Sequence, residues 1–559
     1  MISVLPGRHR MKSRLKIGFL ILVFALAALP FAATFALYYP DERHYTDGAL
    51  MMLQHGDWLV PRTDTGKPRF QKPPLAYWSV AVSYETFGIA VFTSRLPFLL
   101  ASCGTLWLTY RLARRLTNSV ETALLAAIVL LSHPQYFLCS VRSMPDALLA
   151  FFITLSAYGF LRLVVFGEHT AGPFWMAYGG AAGATMSKGL PGAGIVVFAW
   201  AFACWQARDW RAIKKIIHPP SLASIVILVG AWFGYIFWRQ GALAIRVFFN
   251  DQVTGNFHGH WWFAISRAAL FALILILNFM PWSLTAVEWF AREKSSARGS
   301  TPPAAQQFIL AWTGLLIAAF AFGANISVRY LLPATPLLAV LLADWLQRAE
   351  GTRLFFSLGR NLKIVLATLT LAILAEFFVD SQWPSSAILF ALICGWFLFG
   401  IMMLGLGALW RKSISVAEAL GLALLLGWGI FFTAVIPIRM PDSAWQIAVT
   451  LRLDQTRPLQ PVLLIGDLKL ASRVRVLVGK NWTVVQANTL TPAAAVNYTR
   501  VLVPEKEAGE FVNLGWTVRT AAVSFGVPPR GELWDALKSR QLPEMLARHT
   551  QKICLATRE

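Results

Sequence analysis

IGFLILVFALAALPFAATFAL, Ile17 to Leu37, is followed three residues later by PDERHY, Pro40 to Tyr45. The first stretch carries no charge. It is long enough to cross a bilayer, which takes roughly 20 apolar residues for about 30 Å of hydrocarbon. The second puts Asp41, Glu42 and Arg43 at its end, where they must face water, a cavity or a counter-ion. The segment before the run, Met1 to Lys16, is basic. A secretory leader has a shorter apolar stretch and a small-residue cleavage site, so a retained first span is expected.

Outward from that junction the same texture fills the chain. Of 559 residues, 57% are hydrophobic and 14% charged, against about a quarter charged in a soluble domain. Lipid is therefore the expected solvent. Lys and Arg number 50 against 28 Asp and Glu. In a soluble protein that excess would suggest nucleic acid; here it reads as topology signals, and no nucleic acid is expected. Cys103, Cys139, Cys204, Cys394 and Cys554 show no metal spacing, and four lie in or beside apolar segments. They argue against a disulfide framework.

Apolar runs place spans near 17–38, 91–110, 119–132, 146–166, 173–187, 189–205, 221–238, 265–284, 306–323, 330–346, 363–379, 385–408 and 415–436. With the N-terminus inside, the basic clusters fall in inner loops: Arg111, Arg114 and Arg115; Arg208, Arg211, Lys214 and Lys215; Arg292, Lys294 and Arg298; Arg348, Arg353, Arg360 and Lys363; Arg411 and Lys412. This is the positive-inside pattern. The fold class predicted is an all-α polytopic membrane protein of about 13 transmembrane helices, with a small α/β extracytoplasmic C-terminal domain. The membrane domain covers 1–438 and includes a long external loop, 39–93; the outer domain covers 439–559.

In that loop Tyr45–His55 and Leu75–Phe87 read as helices, the latter with Tyr77, Trp78 and Tyr84 suited to the interface. In the C-terminal part Pro461–Ile465, Val474–Val478, Trp482–Val485, Val501–Val503 and Trp516–Val523 read as short strands. Leu533–Arg540 reads as a helix, with a further turn or two at Glu544–His549 beyond Pro543.

Several polar residues fall at the outer membrane face under this topology. Asp41 and Glu42 suit a wet site or an acidic helix start. Lys72, before Pro73 and Pro74, suits a lipid phosphate or a snorkelling anchor. Asp146 enters an apolar run and needs a partner, such as Arg142, or caps the helix. His258 and His260 suit phosphate contacts or an interfacial belt, and their spacing is weak evidence for metal. Lys188, Arg329 and Tyr330 read as anchors or as parts of one site. Convergence on one face favours the site, with Asp41 and Asp146 as two carboxylates bracketing it.

PDERHYTDGALMMLQHGDWLVPR, FQKPPLAYW, SRLPFLL, MPDALLAFF, SKGLPG, RVFFNDQVTGNFHGHWWF, MPW and VRYLLPATPLLA run in order over about 39–340. The set resembles the polytopic lipid-linked-sugar glycosyltransferases related to protein O-mannosyltransferases (GT-C type). Within them it is most similar to the bacterial 4-amino-4-deoxy-L-arabinose transferases of lipid A. The resemblance implies thirteen spans with an external C-terminal domain and residence in the cell inner membrane. It implies an undecaprenyl or other polyprenyl phosphate sugar donor. The acceptor is lipid A, a glycan or a protein. It makes Asp41 and Asp146 the catalytic acidic residues and Lys72 the donor-phosphate ligand. Tyr45, Arg329 and Tyr330 fall in matching motifs, and the residue reading adds Glu42, Arg43, Lys188, His258 and His260 to the expected substrate site. No metal ligand is assigned. The aminoarabinose enzymes hold a metal through a Glu where this chain has Gln71, which weakens the case for a divalent cation and leaves the sugar open.

The expected reaction is transfer of one sugar outside the membrane. Positive charge stabilises the departing lipid phosphate, and Asp41 orients or deprotonates the acceptor. The alternatives are a transporter or lipid flippase, which would show midplane polar groups and an internal repeat, and a scaffold that displays the C-terminal domain.

Overall fold

The computed structural model describes residues 6–34, 41–63, 66–252, 261–286, 300–323, 327–348, 420–422, 424–427, 443–453, 461–465, 468–478, 484–487, 498–525 and 550–558, with a few single positions between. The helices are α1 (Pro6–Thr34), α2 (Asp41–His55), α3 (Leu75–Phe87), α4 (Val91–Thr117), α5 (Val120–Leu131), α6 (Pro134–Ser140) and α7 (Pro145–Val164). Then come α8 (Ala171–Phe174), a π-helical turn (Trp175–Gly179), α9 (Gly180–Lys188), α10 (Leu190–Ala207), α11 (Ala212–Ile216), α12 (Pro219–Gln240), α13 (Ala242–Gln252) and α14 (Trp261–Asn278). After α15 (Pro303–Ala321), a 3-10 turn at Val328–Ala334 leads into α16 (Thr335–Arg348).

Six described helices are long and apolar enough to cross a membrane, or seven when α5 and α6, bent by 71°, count as one broken span. α1 and α14 carry shorter apolar stretches, Ile17–Ala33 and Phe263–Asn278. The spans expected at 363–379 and 385–408 and nearly all of 415–436 lie outside the described residues. Start signals are local. Ser119 accepts from the Thr122 amide at the head of α5, and His133 accepts from the Tyr136 amide at the head of α6. One apolar core joins α1, α4, α5, α7, α10 and α16 through Phe24, Leu106, Ile128, Ile153, Ile195 and Leu341. Val226, Ile227 and Trp238 of α12 and Leu273 and Leu277 of α14 point outward, as lipid-facing side chains do.

α7 and the rod formed by the π turn and α9 touch backbone to backbone. A Cβ on Gly159 would lie 2.3 Å from the Ala177 nitrogen, and one on Gly180 would lie 2.7 Å from the Ser156 nitrogen. Small residues permit this approach, and van der Waals contact is what holds helices together in lipid. It fixes Lys188, the last residue of α9, against the head of α7.

The C-terminal part contains α17 (Ser443–Leu453), β1 (Val462–Ile465), α18 (Leu468–Val478), β2 (Val484–Ala487), β3 (Arg500–Pro504), α19 (Glu505–Asn513), β4 (Thr517–Phe525) and β5 (Thr550–Thr557). The sheet order is β2-β1-β3-β5-β4. β1 runs parallel to β2 and β3, and β5 antiparallel to β3 and β4. The strand expected at Val474–Val478 is the end of helix α18. Leu470, Ala471, Val474 and Val478 are buried at helical spacing against this sheet, a period that a five-residue window cannot reveal. The helix expected at Leu533–Arg540 and the turns at Glu544–His549 lie outside the described residues, single positions aside.

Candidate active site

The site begins where α2 begins. Asp41 and Glu42 occupy its first turn, where carboxylates complement the helix dipole, yet the two side chains part company. Glu42 turns inward and is fully buried. Both its oxygens take N–H bonds from Arg95 of α4, each 3.0 Å. The Ser143 amide donates to the same carboxylate at 2.7 Å. Arg95 also donates to the carbonyls of Phe31 and Ala32 at the end of α1. Glu42 therefore joins α1, α2, α4 and the loop that leads into α7. It is not open to a substrate, in contrast to its expected place in a substrate site.

Asp41 stays partly exposed and pairs with Arg329 at 2.7 Å. Asp146, in the first turn of α7, accepts from Lys188 at 2.5 Å. Spacing suggested Arg142 as its partner or a cap role. The structure supplies Lys188, and the N-cap of α7 is Met144. Lys72 pairs with Asp251 of α13 at 2.5 Å. These pairs form one electrostatic group. Arg329 lies within reach of both Asp41 and Asp146, and Lys72 within reach of Lys188 and Arg69. Lys188 stands 5.1 Å over the ring of Tyr330, which stacks on Phe320.

Two tyrosines line the group. Tyr45 and Tyr77 are buried, with ring centroids 4.9 Å apart, and Arg69 donates to the Tyr77 hydroxyl at 3.2 Å. Burial first, then the neighbouring Tyr77, Asp146 and Asp41, hold the Tyr45 hydroxyl above the ordinary tyrosine value. It remains a proton donor. Burial lowers the Lys72 ammonium below the ordinary lysine value; Asp251 opposes that, and Lys188 and Arg69 add to it. A cation with Lys188 and Arg69 as neighbours is a place for an anion.

Asp41, Tyr45, Lys72, Asp146, Lys188, Arg329 and Tyr330 are thus brought into one neighbourhood. Arg43 lies half-buried in the first turn of α2. His258 and His260 lie outside the described residues. Sequence reading gave no role to Arg95 or Asp251. Each had a signal: a lone cation at the start of an apolar run, and a lone acid in the stretch RVFFNDQ. A divalent cation is poorly matched by the described residues. No group of three His, Cys, Asp or Glu converges among them, Gln71 offers a neutral amide, and Asp251 is committed to Lys72.

A helical membrane unit with this row of paired charges defines the broad class. Residues 13–245 match the family model described as dolichyl-phosphate-mannose-protein mannosyltransferase. More particularly, it is similar to undecaprenyl phosphate-alpha-4-amino-4-deoxy-L-arabinose arabinosyl transferase 1 of Pseudomonas fluorescens. The two are 27% identical over 459 residues, 78% of this chain and 77% of the relative. An uncharacterized protein of Aquifex aeolicus is 29% identical over 368 residues, 64% of this chain and 68% of its own. Among solved structures, ArnT from Cupriavidus metallidurans, bound to undecaprenyl phosphate, superposes with a TM-score of 0.68 at 19% identity. The match covers 91% of this chain and 95% of that one, and it shows a shared fold.

Proposed function

We propose that this protein is a glycosyltransferase that moves one sugar from a polyprenyl phosphate donor to a lipid A, glycan or protein acceptor. The observation that carries the proposal is the row Asp41–Arg329, Asp146–Lys188 and Lys72–Asp251 beside a family-matched membrane domain. The relatives support transfer rather than transport.

In the reaction the bond between the anomeric carbon and the phosphate oxygen breaks, and a bond to the acceptor oxygen forms. The electron pair leaves with the lipid phosphate, already a stabilised anion. Lys72 holds that phosphate, with Lys188 and Arg329 adding positive potential as charge develops. Asp41 orients the acceptor and takes its proton where the acceptor is a hydroxyl. A phosphate acceptor needs little such help. Asp146 keeps Lys188 aimed at the site, and Tyr45 offers a neutral hydroxyl donor. The positive-inside loops favour thirteen spans in the cell inner membrane. With them, the site and the 439–559 domain lie on the extracytoplasmic side.

The test uses purified protein in lipid nanodiscs with radiolabelled undecaprenyl-phosphate-linked sugar. Asp41→Asn and Lys72→Ala, each confirmed folded, are expected to abolish transfer and to raise the donor KM respectively. Unaltered kinetics in both would remove these roles.

A further inference from the structure

We infer that the C-terminal α/β unit is a positioning element for the catalytic helix α2, acting through Arg475 and Val476 of α18; this rests on the function proposed above. α18 serves two cores at once. Leu470, Ala471, Val474 and Val478 face the five-stranded sheet. Val476, 1% exposed, instead joins the cluster of Tyr45, Ala49, Leu50, Met52 and Tyr77, which is the body of α2 and its support on α3. Leu477 packs against both clusters.

A longer-range charge contact lies beside this packing. Asp47 lies on α2 between Tyr45 and Ala49, and its side chain is 4% exposed. A carboxylate that deep needs a positive neighbour, and Arg475 reaches it at 4.0 Å with its own side chain 15% exposed. The same guanidinium donates through Nε to the Val484 carbonyl of β2 at 2.9 Å. It therefore links the sheet to the helix that begins with Asp41. From the opposite side Arg95 holds Glu42. α2 is thus held near its head by the membrane domain and one to two turns further on by the C-terminal unit. Loosening the second hold lets Asp41 and Tyr45 drift relative to Arg329 and Lys72, while the groups that bind the donor stay in place. Small misplacement of a reacting group costs rate rather than affinity.

The experiment uses the full chain in nanodiscs, with kcat and both KM values measured for Arg475→Ala, Arg475→Lys and the isosteric Asp47→Asn. Arg475→Ala and Asp47→Asn are expected to lower kcat by about 2- to 30-fold, the range of coupling through non-contacting positions. Donor and acceptor KM should change by less than about 2-fold, and Arg475→Lys, which keeps the charge but cannot reach Asp47 and the Val484 carbonyl through separate nitrogens, should recover only part of the rate. Amide exchange over Thr46–Met52, followed by mass spectrometry, should quicken in the two impaired variants. An acceptor KM that rises at constant kcat makes the unit an acceptor-binding module and overturns the inference. So does unchanged kcat, or unchanged exchange. An unaltered protein that transfers no sugar refutes the proposed reaction instead, and exchange alone then judges the hold on α2.

Discussion

Replacing Glu42 by Gln keeps the shape of the side chain and removes its charge at a fully buried position. Arg95 and Glu42 are both fully buried. Their two N–H···O bonds of 3.0 Å and the 2.7 Å bond from the Ser143 amide all end on this one carboxylate. In Glu42→Gln one oxygen survives as an acceptor, while the new NH2 meets a donor. The guanidinium keeps its contacts to the Phe31 and Ala32 carbonyls but loses its counter-charge. Breaking a buried ion pair from one side costs about 3–5 kcal/mol, most of it the penalty of an uncompensated buried charge. The expected loss in unfolding free energy, from denaturant titration in mixed micelles, lies in that range. Arg95→Met added to Glu42→Gln removes the orphaned charge and should return much of the loss. A single variant that loses less than about 1 kcal/mol would show that Glu42 is no strut, and the account of how α2 is anchored would fall.

The remaining predictions concern the site. Lys72 binds phosphate as an ammonium, and its lowered pKa means that cation is lost earlier as pH rises. kcat/KM for the donor should therefore decline on the alkaline side below the ordinary lysine value, and Lys72→Arg should move that limb upward; coincident profiles would contradict it. Asp251→Asn frees Lys72 from a partly exposed pair, so the donor KM should drop by about 2- to 5-fold, in keeping with what such pairs are worth. A higher KM would make Asp251 a support of Lys72 rather than a competitor of phosphate. Gly48→Val places a branched side chain where even a Cβ would sit 2.5 Å from the Tyr77 ring. α2 must lift from α3, and both thermal stability and transfer should fall by amounts that a melting curve and the radiolabel assay resolve.

Much of the fold was legible because lipid imposes a strong rule on sequence. The helix expected at Leu75–Phe87 has those bounds, and the spans expected at 91–110, 146–166 and 221–238 overlap α4, α7 and α12 over most of their length. Those spans are long and uncharged in the middle, and α7 and α12 open on proline. The broken elements read less well. A π turn within 173–187 and a 71° bend after Leu131 leave no mark on hydropathy. In the C-terminal part, α18 was mistaken for a strand because its apolar residues were viewed over five positions. α19 and β5 went unread, since half-buried amphipathic elements carry a weaker signal than spans. At the site, loop charge gathered Asp41, Lys72, Asp146, Lys188 and Arg329 at one face. Sequence could not say who pairs with whom. Lys188 and Asp146 are 42 positions apart, and only the close approach of α7 and α9 joins them. Glu42 read as a site residue for the same reason: two adjacent carboxylates look alike until a buried arginine claims one.

The π turn at Trp175–Gly179 sets a phase. A π turn bonds i to i+5 and so holds about one residue more than an α-helical turn. The rod upstream of it and the rod that ends in Lys188 are consequently out of step by one residue. Deleting one residue from the turn would restore an unbroken α-helix and rotate everything beyond it by about 100°. Lys188 would then swing away from Asp146 and off the Tyr330 ring, although no residue that touches either had been changed. The length of that short turn, more than its composition, is what aims the ammonium.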